Sequence, residues 1–131
     1  MSALGQTALS GWIAALAFAG VAALPFILRR IPITDLVRAR AMRIHYVAAF
    51  AVAAVVTLHA FAPTTAKFMR SLNAEGLWLA TAAWLLILTQ LAVGFSLRGA
   101  QGRKPTLRAV HFVIMTSAFV LIAAHIALLR A

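Results

Sequence analysis

The four histidines of this chain form two pairs with the same internal spacing. The segment HYVAAFAVAAVVTLH runs from His45 to His59, and HFVIMTSAFVLIAAH runs from His111 to His125, so the members of each pair are 14 residues apart. The residues between them are mostly apolar. An imidazole is costly in a membrane-like stretch and usually has a partner or a function there. These four side chains are therefore the first candidates for a functional site.

A spacing of 14 residues brings two side chains to nearly the same face of an α-helix. The helix turns about 100° per residue and rises about 1.5 Å, so the two residues lie about 21 Å apart along its axis. In left-handed bundle packing the effective period is about 3.5 residues, and 14 residues make two heptads. If the two segments are parallel helices that face each other, the histidines meet at two depths, His45 with His111 and His59 with His125.

Two opposed imidazoles match the axial coordination of a haem iron. Haem b is held by axial histidines without covalent attachment and so needs no cysteine, and this chain has none. An iron with both axial positions filled by histidine passes electrons and does not bind oxygen. We predict two b haems as cofactors, with His45 and His111 ligating the cytoplasmic-side haem and His59 and His125 ligating the outer-side haem.

A haem also needs packing surfaces and partners for its anionic propionates. Small and apolar residues of the four helices are expected to pack against the two macrocycles: Gly20, Ala48, Val52, Ala80, Gly94 and Ala118. Positive residues near the helix ends are expected to face the propionates, namely Arg43, Arg98 and Arg108 at the inner level and Lys67, Arg70 and Arg130 at the outer level.

The composition places such helices in a membrane. The chain has 131 residues, of which 64% are hydrophobic and 11% charged. Soluble domains average about 45–50% apolar and about 25% charged residues. The 12 Lys and Arg residues against 2 Asp and Glu residues lie outside the apolar runs. They indicate membrane topology rather than nucleic-acid binding.

Four apolar runs, at about residues 9–28, 44–62, 77–97 and 110–129, are each long enough to cross the hydrocarbon core as a helix. Because the alternation of membrane strands is absent, we predict an all-α, up-and-down four-helix membrane bundle in one domain, with the two haems between helices 2 and 4. The first run is expected to be a span rather than a signal peptide, since no Lys or Arg precedes it.

The charges of the connections predict the orientation. Residues 29–43 carry five Arg and one Asp, residues 98–108 carry four positive charges, and residues 63–76 carry Lys67 and Arg70 against Glu75. By the positive-inside rule, the first and third connections are cytoplasmic and both termini face the periplasm of a bacterial inner membrane. Pro25 is expected to mark a helix boundary, and residues 33–43 to form a short interfacial helix.

Histidine pairs about 14 residues apart on the second and fourth helices resemble the cytochrome b core of quinol–cytochrome c oxidoreductases and their b6-type relatives. The resemblance to this core covers about residues 9–129 and implies that His45, His59, His111 and His125 ligate two b haems stacked across the membrane. The resemblance to bacterial cytochrome b561 is looser. The chain lacks the PEWY quinol-site motif and the later helices of that family, matches its paired glycines only partly, and has the opposite loop-charge pattern.

The function expected from these observations is transmembrane electron transfer. We expect a membrane cytochrome b subunit of a larger oxidoreductase rather than a stand-alone enzyme, with lipid and redox subunits as partners. A quinone site is implied by the resemblance alone. Acidic residues are nearly absent, so no general-base constellation is present. Two alternatives stay open, metal-ion transport with the histidines as transient sites and a haem-free membrane anchor subunit.

Overall fold

The computed structural model describes residues 3–61, 74–99 and 104–128. Within these ranges the chain forms four helices, α1 (Ala3–Arg30), α2 (Asp35–Phe61), α3 (Ala74–Gly99) and α4 (Lys104–Leu128). The prediction of an all-α fold is confirmed for this part of the chain.

All four helices are long and apolar enough to cross a membrane, over residues 9–30, 35–61, 75–98 and 105–128. The predicted ends at residues 62 and 129 lie just outside the described residues. Large apolar side chains cover the outer surface, and Leu16, Val47 and Leu58 are 68%, 70% and 71% exposed. A surface of this kind needs lipid around it, because water would leave these side chains unfavourably hydrated.

The second helix begins earlier than predicted, because Thr34 caps its first turn. The Thr34 carbonyl accepts a hydrogen bond from the Arg38 amide at 3.0 Å, and its Oγ1 accepts one from the Val37 amide at 3.4 Å. Asp35 lies in the first turn, where its negative charge interacts favourably with the positive end of the helix dipole. The prediction of a separate interfacial helix at residues 33–43 is therefore wrong.

The early start makes α2 longer than the hydrocarbon core is thick. Its 27 residues correspond to about 40 Å, against about 30 Å of hydrocarbon. The extra length is charged, since Arg38, Arg40 and Arg43 lie in the first turns and are exposed. This part of α2 therefore extends the positive first connection, and the apolar part that crosses the core begins near Ile44.

Pro25 lies inside α1, which continues to Arg30. The expectation that Pro25 marks a helix boundary is therefore wrong. A proline within a helix has no N–H to donate to the carbonyl four residues earlier, which here belongs to Val21. That carbonyl loses its usual helical donor.

Each of the four helices has at least one buried residue in its middle part, and on α1 and α3 the buried residues recur at the three-to-four-residue spacing of one helix face or its multiples. The buried apolar residues are Ala14, Phe18 and Leu28 on α1, Val52 and Ala53 on α2, Ala83 and Ile87 on α3, and Ala118 on α4. Gln90 of α3 is a buried polar residue on the same pattern. The two histidine segments thus have buried residues in register with their histidines.

The chain divides into two compact units, a first unit of residues 1–56 and a second unit of residues 57–131. In the second unit α3 packs against α4. The indole Nε1 of Trp84 donates to Thr57 Oγ1 at 3.1 Å, and the Trp84 ring packs edge-to-face on Phe61 with centroids 5.6 Å apart. These contacts attach the C-terminal end of α2 to α3.

We expect the Trp84–Thr57 hydrogen bond to contribute measurably to stability, because no water is available in the hydrocarbon core to accept a hydrogen bond from the indole N–H. A double-mutant cycle of Thr57→Val and Trp84→Phe, followed by reversible unfolding in detergent, should give a coupling of about 0.6 kcal/mol, with about 1.7 kcal/mol as the upper range. Thr81→Val is the control, since the Thr81 hydroxyl bonds only the Leu77 carbonyl of its own helix. A coupling of zero would contradict this account.

Candidate functional site

His45 of α2 is oriented by the backbone of α1. Its Nδ1 lies 3.0 Å from the carbonyl oxygen of Val21. A carbonyl oxygen can only accept, so Nδ1 carries the proton and donates it, and the lone pair of the neutral ring is on Nε2. Metal-binding histidines usually have this arrangement, in which the second ring nitrogen donates to a carbonyl or carboxylate.

His125 of α4 has the same kind of support in the second unit. Its Nδ1 lies 3.0 Å from the carbonyl oxygen of Gly76 on α3. By the same reasoning Nδ1 is the donor and Nε2 is left to act as a ligand. The two contacts are built from different helices, yet they select the same tautomer.

Both histidines of the predicted outer pair lie in the second unit. His59 and His125 are close enough for their charged forms to interact electrostatically, and both rings are half-buried. Both residues lie near the C-terminal ends of their helices, His59 on α2 and His125 on α4. Their role as a ligand pair stays a prediction.

The histidines of the predicted inner pair belong to different units and are described separately. His45 lies in the first unit beside Val21. In the second unit, a Cβ built on Gly94 would lie 3.0 Å from Cε1 of His111. Gly94 was predicted to pack against a haem, and the structure places it against the imidazole of a predicted ligand.

The histidine faces of α2 and α4 point inward at their midpoints. Val52 is seven residues from both His45 and His59, and Ala118 is seven residues from both His111 and His125. Val52 is 6% exposed and Ala118 is fully buried. The position midway between the two histidines is therefore buried on each helix, and the four histidines themselves are half-buried.

The other predicted packing residues differ in their burial. Ala48 and Ala80 are half-buried. Gly20 is exposed, and a Cβ added there would meet nothing within 4 Å. The role predicted for these three residues beside a haem stays a prediction.

Three of the six predicted propionate partners lie in the described helices. Arg98 and Arg108 are exposed near helix ends and Arg43 is exposed in the third turn of α2, which suits either propionates or lipid headgroups. Lys67, Arg70 and Arg130, predicted for the outer level, lie outside the described residues.

Sequence reasoning missed the two backbone acceptors and the burial of Gln90. Gln90 is 9% exposed, and its Oε1 has no hydrogen-bond partner among the described residues. It lies four residues before Gly94 and 14 residues after Gly76 on the inward face of α3. The spacing of Gln90 from these two glycines is visible in the sequence and could have indicated that Gln90 lies on the same face of the helix.

No protein-family model, curated protein or solved structure matches this chain. Interpretation of the site therefore rests on its own residues. Among the residues described, no three His, Cys, Asp or Glu side chains lie together as a metal-binding group. A haem iron needs only two protein ligands, because the porphyrin supplies the other four, and pairs of histidines are the expected arrangement.

Gly94→Ala should destabilise the protein by about 1–3 kcal/mol, because the new methyl group overpacks the contact with His111. Reversible unfolding in detergent measures the loss, and the imidazole resonances of His111 should shift. Ala92→Val is the control, since Ala92 is exposed on another face of α3. If Gly94→Ala leaves both the stability and the His111 resonances unchanged, the close packing described here is incorrect.

Gln90→Leu should stabilise the haem-free protein by about 1–3 kcal/mol, because it removes a buried acceptor that lacks a partner. The same unfolding assay measures this gain, with Thr89→Leu as a control at the neighbouring exposed position. A clear loss of stability would show instead that the amide of Gln90 has a partner, such as a bound water.

Proposed function

We propose that this protein binds two b haems inside the membrane and passes electrons between them. His45 and His111 would hold the inner iron, and His59 and His125 the outer iron. The observation that carries the proposal is the orientation of His45 and His125. In both rings Nδ1 donates to a backbone carbonyl, which leaves Nε2 as the ligating atom.

The residues present fit a bis-histidine haem. The donors are neutral imidazoles, and the chain has no cysteine for covalent attachment or thiolate ligation. Val52 and Ala118 between the two levels are apolar and buried, as a haem environment that excludes water requires. When bound, each haem would supply reversible one-electron chemistry at an iron with no open coordination position.

The chain's own residues would hold, orient and insulate these irons. The Val21 and Gly76 carbonyls fix the rings of His45 and His125. The 14-residue spacing sets the two levels about 21 Å apart along the helices, which covers most of the hydrocarbon core. Arg43, Arg98 and Arg108 are the positive groups placed to receive the inner propionates.

The proposed cellular setting rests on the charges of the connections and on the four candidate spans. The positive first and third connections would face the cytoplasm and both termini the periplasm of a bacterial inner membrane. The described residues lie almost entirely in four helices that could cross a membrane. We propose that they act as a membrane cytochrome b subunit of a larger oxidoreductase that exchanges electrons with quinone.

Purified protein should contain two b haems per chain, each removable on its own. His59→Ala should lose about one haem and keep the other, and His45→Ala should do the same, because the two levels use different ligands. Pyridine haemochrome quantification with a redox titration measures both numbers.

Thr116→Val is the control for these variants, since its hydroxyl bonds only the Phe112 carbonyl of its own helix. A colourless preparation would leave metal-ion transport or a haem-free anchor as the function. Loss of both haems in every single-histidine variant, in a protein that still folds, would contradict ligation at two independent levels.

A further inference from the structure

We propose that Pro25 is a positioning residue for the inner haem, which it tunes by withholding from the Val21 carbonyl the helical amide that would compete with His45. The redox part of this inference rests on the proposed function. The hydrogen bond itself does not, because it is present between residues of the chain.

The position of Pro25 in α1 makes the Val21 carbonyl an acceptor without a helical donor. In an α-helix the amide of residue 25 donates to the carbonyl of residue 21. Proline has no amide hydrogen, and α1 continues for five residues beyond Pro25. The missing bond therefore lies inside the span rather than at its frayed end.

His45 supplies the donor that Pro25 lacks. An unpaired carbonyl inside a membrane is unfavourable because no water can reach it. The Nδ1 of His45, 3.0 Å away, satisfies this carbonyl and is in turn held by it. One contact thus satisfies two polar groups that would each be costly in hydrocarbon.

The corresponding contact of His125 is chemically different. Its acceptor, the Gly76 carbonyl, lies in the first turn of α3, where Ala80 has an amide that can donate to the same oxygen. The carbonyl at His125 has a helical amide available to compete for it, whereas the carbonyl at His45 lacks the amide that an ordinary residue 25 would supply. An acceptor without this competitor draws more strongly on the Nδ1 proton and makes Nε2 a more basic ligand.

A more basic axial imidazole stabilises ferric iron over ferrous iron and so lowers the reduction potential. Hydrogen bonding to the ligand is one of the means by which proteins set haem potentials. The geometry therefore predicts that Pro25 holds the potential of the inner haem below the value it would have with an ordinary residue at this position.

Pro25→Ala and Pro25→Leu test this directly, because both restore an amide that competes for the Val21 carbonyl. In each variant the ferrous-to-ferric ratio of the inner haem, at a fixed solution potential, should rise about threefold. This corresponds to a reduction potential about 30 mV higher for a one-electron couple. The outer haem should not change. In haem-free protein, nitrogen NMR of His45 should show a smaller fraction of the Nδ1–H tautomer.

Two controls separate the carbonyl from other effects. Pro32→Ala removes a proline outside the helices, and Val21→Ala keeps the carbonyl while shortening the side chain, so both should leave the potential and the tautomer as they are. A shift in Val21→Ala equal to that in Pro25→Ala would assign the effect to side-chain packing and overturn the inference.

The outcomes also distinguish this inference from the proposed function. Two haems with unchanged potentials and an unchanged His45 tautomer in the Pro25 variants would overturn the inference alone. A wild-type preparation that binds no haem would overturn the proposed function and the redox part of the inference together.

Discussion

The structure depends on the need of polar groups in hydrocarbon to find partners within the protein. An imidazole N–H and a helix carbonyl are both costly there when unpaired. The contact of His45 with Val21 pairs both groups, whereas the contact of His125 with Gly76 pairs the imidazole N–H with a carbonyl that the Ala80 amide can also reach. Because each contact joins a histidine to the backbone of the preceding helix, the ring cannot turn toward lipid without leaving its N–H unpaired. The orientation of the site follows from this constraint.

In each unit the Nδ1 of one histidine donates a hydrogen bond to a backbone carbonyl of the preceding helix, but the two carbonyls differ. In the first unit α1 offers a carbonyl released by Pro25, and in the second unit α3 offers the Gly76 carbonyl and, at Gly94, the space for the His111 ring. Within its own unit, α1 thus contacts His45, and α3 contacts His111 and His125. The heptad spacing then sets the two depths, with buried Val52 and Ala118 midway.

The four spans were predictable because the length and apolarity of the runs are visible in the sequence. The pairing of the histidines at two levels stays a prediction. The start of α2 was missed, since the capping bonds of Thr34 outweigh the interfacial pattern of residues 33–43. Pro25 was misinterpreted as a boundary because the Val21 carbonyl, which lacks the amide of residue 25, instead accepts a hydrogen bond from His45 of another helix. Backbone acceptors such as Val21 and Gly76 cannot be recognised from residue type, as nearly every residue carries the same carbonyl.

The central claim is that two irons are each held by imidazoles from α2 and α4 at two depths. The most direct test is the distance between the two oxidised, low-spin irons in the purified protein, measured by pulsed electron paramagnetic resonance. The account predicts a separation of about 21 Å, set by 14 residues of helical rise. A single iron centre, or two irons at a clearly different separation, would contradict it.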